Sequence, residues 1–175
     1  MNACFNRSNG VNYKSSQDKL NFARIARRNL CRRDGRRSFF MNSKTLLRKW
    51  IAAFIAKDVE SVMDFYADDA VNFQVAAGEP AIGKEQIRKD MVEFFKGFPD
   101  SYSIVENVIG DEDWAAWEWN GGGTFKGEFY GSEPTGKSYE LRGCGFFQFA
   151  DGKIVYQRGY WDKLTWFSQI GLKNK

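Results

Sequence analysis

The order of predicted elements places this chain in the α+β class: three N-terminal helices packed on a strongly curved, mostly antiparallel sheet, forming a conical domain. Three observations predict it. Apolar residues recur at helical spacing between Ser43 and Lys96, the periodicity changes to that of strands after Asp100, and turn groups divide the remainder into four long strands.

The elements follow in order. Leu46, Leu47, Trp50, Ile51, Phe54 and Ile55 form one apolar helical stripe, with Ser43 as its expected N-cap. A short helix over 59–66 starts behind Asp58, its expected cap, and Ala67-Asp-Asp-Ala70 turns into a short strand over 71–75. A loop over 78–83 contains Pro80. The third helix, 84–96, buries Ile87, Met91, Phe94 and Phe95 and stops before Pro99, which cannot continue it. Strands are predicted over 101–109, 114–125, 138–149 and 153–162, with Asp151-Gly152 as the strongest hairpin signal. Residues 163–172 read as a terminal helical turn. Gly121–Gly123, Gly143 and Gly145 are where such a sheet could bend around an apolar interior.

Charge divides the chain near Met41. Residues 1–40 carry ten Lys/Arg against two acids, whereas the rest carries 16 basic and 20 acidic residues. The head, basic and weakly amphipathic over 18–30, reads either as an organelle transit peptide or as an over-extended reading frame, since Met41 precedes a capping serine. A disordered polycationic arm is the third reading, but no nucleic-acid-binding module accompanies the arginines, so no specific nucleic-acid partner is expected. No apolar run approaches a membrane span. Cys4, Cys31 and Cys144 suggest neither a disulfide framework nor a zinc site, which points to a reducing compartment. The expected location is cytoplasmic, or organellar if the head is a transit peptide.

The chain contains no histidine. Acid–base chemistry near neutral pH therefore falls to a carboxyl, Tyr, Lys, Cys or water. Asp162, closing the aromatic strand Ile154-Val-Tyr-Gln-Arg-Gly-Tyr-Trp-Asp162, is the leading candidate. It could instead cap the helix that follows, or pair with Arg158 or Arg142. Trp114, Trp117 and Trp119 alternate along one strand and read as core or as a dimer face, and Cys144 reads as a small core residue.

The segment Gly123-Thr-Phe-Lys-Gly-Glu-Phe-Tyr-Gly-Ser-Glu-Pro-Thr-Gly-Lys137, together with Phe98-Pro-Asp100, Asp151-Gly-Lys-Ile154, Tyr160-Trp-Asp162 and Gln169-Ile-Gly-Leu172, resembles the SnoaL-like polyketide or ester cyclases of the nuclear-transport-factor-2-like fold. The resemblance runs from about Leu46 to Leu172, so residues 41–175 are expected to be one such domain. It implies a lyase or isomerase type of enzyme: aldol-type cyclisation of a small apolar carbonyl compound, without metal or cofactor, with an aspartate matching Asp162 as general acid/base. A carboxyl raised by the apolar wall of Trp161, Tyr160 and Phe147 would suit that task. Asn72, Arg142, Gln148, Tyr160, Trp161, Trp50 and Phe147 are the expected substrate contacts, and a homodimer is the expected assembly.

The chain departs from that pattern where the family's Gly-Thr-His run reads Gly123-Thr124-Phe125, so the histidine that assists in characterised cyclases has no counterpart. Chemistries using a His–Asp pair are excluded for the same reason. A ketosteroid-isomerase-like site would require other residues at Trp50 and about Gln74, and a limonene-epoxide-hydrolase-like site a carboxylate at Cys144. Non-catalytic binding of a small ligand, or a homodimerising role, stands beside the enzymatic reading.

Overall fold

A computed structural model describes residues 42–172. The basic segment 1–40, with its alternative readings, lies outside the described residues. Among the described residues, four helices and six strands follow in the order α1 (Ser43–Ile55), α2 (Val59–Met63), β1 (Tyr66–Gln74), β2 (Ala81–Ile82), α3 (Lys84–Gly97), β3 (Tyr102–Gly110), β4 (Trp114–Thr124), β5 (Ser138–Ala150), β6 (Lys153–Trp161) and α4 (Lys163–Ile170). The strands form one curved sheet in the order β2-β1-β6-β5-β4-β3. All neighbours are antiparallel except β1 and β6, which run parallel. This is the expected α+β architecture. Among the described residues no helix is long and apolar enough to cross a membrane.

Local chemistry explains the boundaries. Asp151 and Gly152 both take positive φ, 51° and 76°, which supplies the turn geometry a tight β5–β6 hairpin needs. Asp58 caps α2 by accepting from the Ser61 amide at 3.1 Å. Two expectations are corrected. The cap of α1 is Asn42, whose Oδ1 accepts from the Thr45 amide at 2.8 Å. Ser43 is instead buried, and its hydroxyl reaches the carbonyls of Asp111 and Trp114, tying α1 to the β3–β4 turn. Tyr66 does not end α2 but opens β1, because pairing with Ile154 of β6 buries it completely. An aromatic residue gains more from a buried ladder position than from a frayed helix end.

The helices cover one face of the sheet. Leu47, Trp50 and Ile51 of α1 and Ile87 and Met91 of α3 pack with Trp117 of β4 and Phe147 and Phe149 of β5. The Trp50 ring lies 4.8 Å from Phe147 and meets Trp117 edge-on at 6.0 Å. A second cluster beneath α4 joins Phe98, Phe125, Tyr139, Leu141, Trp166 and Ile170. Burying each large side chain contributes about 1.5–3 kcal/mol, so these clusters dominate the folding free energy.

Candidate ligand cavity

A cavity of about 290 Å³ opens on the helix-covered face and draws its walls from both clusters. Trp50, Trp117, Tyr139, Gln157 and Trp166 form its buried part, while Ile55, Ala77, Tyr102 and Tyr130 are exposed and mark its mouth. Strand alternation decides which side chains reach it. On β6, Gln157, Gly159 and Trp161 line the cavity; on β4, Trp117 and Trp119 do. The glycines of β5 seat these indoles. A Cβ at Gly143 would meet Trp119 at 2.6 Å, and one at Gly145 would meet Trp117 at 2.8 Å.

A chain of polar groups crosses the apolar wall. Trp161 Nε1 donates to Gln74 Oε1 at 3.1 Å, and Gln74 Nε2 donates to Asn72 Oδ1 at 2.7 Å. An indole N–H can only donate, so the chain has one direction and leaves the Asn72 amide NH2 without a partner among the described residues. Behind it, the buried Tyr66 phenol donates to Gln157 Oε1, leaving the Gln157 NH2 free as well. Burial pushes the Tyr66 phenol far above its usual range, an effect partly offset by Trp50. Tyr139 is raised too, first by burial and then by the charge of Asp100. Trp166 Nε1 is buried without a hydrogen-bond partner among the described residues. The polar groups of the inner wall are thus neutral, and the Asn72, Gln157 and Trp166 N–H groups are left as donors.

The residues singled out from sequence divide between the two faces. Asn72, Trp50 and Trp161 line the cavity. Phe147 stands behind Trp50, fully buried in the core. Arg142 and Tyr160 lie on the outer face of the sheet, beside Glu118 and Phe146. Arg142 pairs there with Glu106 at 2.7 Å, and the Arg158 guanidinium lies over the rings of Phe146 and Tyr160. Gln148 shares the parity of Arg142 along β5 and does not line the cavity. One residue of strand parity separates the two groups.

Asp162 takes the capping position. Its carboxylate accepts from the Thr165 amide at 3.0 Å and from the Thr165 hydroxyl at 2.6 Å, fixing the start of α4. The Thr165 hydroxyl, then its amide, hold this exposed carboxyl below the ordinary aspartate value. Its neighbour Trp161 lines the cavity; Asp162 itself does not. The carboxylate that does is Asp90 of α3, whose Oδ1 accepts from Tyr130 Oη at 2.8 Å and Gln86 Nε2 at 2.9 Å. Sequence reading passed over Asp90 because a charged helical residue ordinarily means a solvated face. Its position beside Ile87, Met91 and Phe94 was the available signal.

Comparison with solved structures finds the same fold repeatedly. A SnoaL-like polyketide cyclase candidate from Jannaschia sp. CCS1 superposes with a TM-score of 0.67 at 19% identity, covering 80% of this chain and 100% of that one. AclR from Streptomyces galilaeus, a candidate hydroxylase, gives 0.64 at 24% identity, covering 73% and 94%. IdmH from Streptomyces antibioticus, a candidate polyketide cyclase, gives 0.63 at 24%, covering 75% and 100%. The sequence itself matches the family model of the SnoaL-like polyketide cyclases over residues 44–170. The chain therefore belongs to the SnoaL-like polyketide cyclase family.

Proposed function

We propose that the domain encloses a compact, largely apolar carbonyl compound in the helix-side cavity. The observation carrying this reading is the one-way chain Trp161–Gln74–Asn72, with Tyr66–Gln157 beside it, which leaves amide NH2 donors on an aromatic wall. Such a wall favours an acceptor without charge: a ketone, ester or quinone oxygen pairs with the free donors, while the rings bury the remainder. The test is a matched panel of apolar ketones and their hydrocarbon counterparts, read by quenching of the cavity tryptophans. Ketones should bind about tenfold more tightly. Equal binding across the pairs would refute the carbonyl preference.

Acid/base turnover is the second reading, supported by membership of a cyclase family and by the place of Asp162 directly after a cavity-lining residue. In this reading Asp162 removes a proton alpha to the ligand carbonyl and returns it to the new alkoxide. To do so it must release Thr165 and turn inward. Asp162→Asn abolishes turnover on this reading, and undiminished turnover removes Asp162 from the chemistry.

We also propose a homodimer through the outer face of the sheet, supported by the exposure of Ile109 beside Phe146 and Tyr160. Sedimentation should show a dimer that Ile109→Lys dissociates; a monomeric wild-type protein ends this reading.

A further inference from the structure

Asp90 is the only charged side chain among the described residues lining the cavity. Of the basic residues on α3, Arg88 pairs with Glu60 and Lys96 with Glu128 at 3.1 Å, while Lys84 and Lys89 do not line the cavity. Asp90 makes no ion pair among the described residues. Both hydrogen bonds it accepts reach Oδ1, leaving Oδ2 open. Aromatic rings of Phe94, Tyr102, Phe129 and Tyr130 line the same cavity, and the exposed Tyr102 and Tyr130 place the carboxylate's partner at the mouth. The phenol of Tyr130 is pushed upward first by burial, then by its bond to Asp90 and the charges of Asp90 and Glu93. The mouth therefore carries a carboxylate with no ion-pair partner among the described residues, beside aromatic faces.

We infer that the ligand carries a cationic nitrogen at its outer end, held by Asp90 and the surrounding rings, while its carbonyl end lies deeper. This rests on the pocket reading proposed above and adds a charge requirement to it. Rings attract a cation through their quadrupole, and a substituted ammonium is far less costly to desolvate than a bare one. Asp90 supplies the opposite charge beside Tyr130 at the mouth. An anionic ligand would face Asp90 with no basic side chain among the described residues lining the cavity, so the same geometry discriminates against it. The substrate class is an amine- or quaternary-ammonium-bearing ketone or ester of about a dozen heavy atoms, matched to the cavity volume.

The test uses two isosteres that differ only in charge: (4-acetylphenyl)trimethylammonium and 4-tert-butylacetophenone. Dissociation constants are measured on the full chain by tryptophan quenching and checked by calorimetry. The cation should bind about tenfold more tightly, and added salt should weaken it alone. In Asp90→Asn, whose amide oxygen can still accept from Tyr130, the preference should fall to about unity while the neutral ketone keeps its affinity within about twofold. Glu133→Gln, an exposed control, should change neither. Equal or tighter binding of the neutral ketone, or a cation preference that survives Asp90→Asn, overturns the inference and leaves the pocket reading standing. Failure of both compounds to bind overturns the pocket reading itself.

Discussion

Trp161 Nε1 donates to Gln74 Oε1 although the two residues lie 87 positions apart in sequence. The bond joins the ends of β1 and β6, the parallel pair of the sheet, directly at the cavity wall. It fixes which end of each amide faces away from the chain, so a fold-level pairing sets the polarity of the cavity wall.

Gly159, the register partner of Gln74, makes this arrangement possible. A Cβ at Gly159 would come within 2.1 Å of Gln74 Oε1. The conflict is with the end of a flexible side chain, so Gly159→Ala should fold while displacing Gln74 from Trp161. Ketone affinity should then fall about tenfold, with an unchanged far-ultraviolet dichroism spectrum. An unaltered affinity would show that the amide chain does not orient the ligand.

Asp162 separates its two roles by substitution. Asn can still accept from the Thr165 amide, whereas Ala cannot, so Asp162→Ala should lower Tm by about 2–5 °C and Asp162→Asn by less. Ligand binding should survive both. Comparable melting of all three proteins by calorimetry would show that the cap contributes little.

Phe147 tests the core behind the cavity. Fully buried and packed on Trp50, it cannot be shortened without leaving a void. Phe147→Ala should destabilise the domain by about 3–5 kcal/mol in urea melts. A loss below about 1 kcal/mol would mean that the helices collapse to fill the space.

Asp100 gives a pH signature. Lys126, 2.6 Å away, and the Thr124 amide at 2.8 Å hold its carboxyl down to about 2 from 3.8. A depressed folded-state pKa stabilises above the unfolded value and is lost as pH falls through the folded one. The stability difference between wild type and Asp100→Asn should therefore be constant above about pH 5 and close between about pH 4 and 2. A difference that persists at the acid end would assign the effect to something other than this titration.

Much of the fold was legible because local signals agreed with one another. Asp151-Gly152 demanded a hairpin, Pro99 a helix stop, and the apolar stripes of α1 and α3 a sheet to cover. Tyr66 was misplaced because its decisive partner, Ile154, is remote in sequence. The candidate site was less legible, since both faces of β5 and β6 carry aromatic residues and hydrophobicity cannot set their parity. Tyr160 and Trp161 looked alike until pairing sent one outward and the other inward. The Asp162–Thr165 spacing carried the capping signal in plain view.

The parallel union of β1 with β6 also bears on how the protein is made. During synthesis β1 leaves the ribosome long before its parallel partner exists, and only the short β2 can hydrogen-bond to it meanwhile. The cavity wall therefore cannot assemble piecemeal; it closes only once β6, the last described strand, has been made.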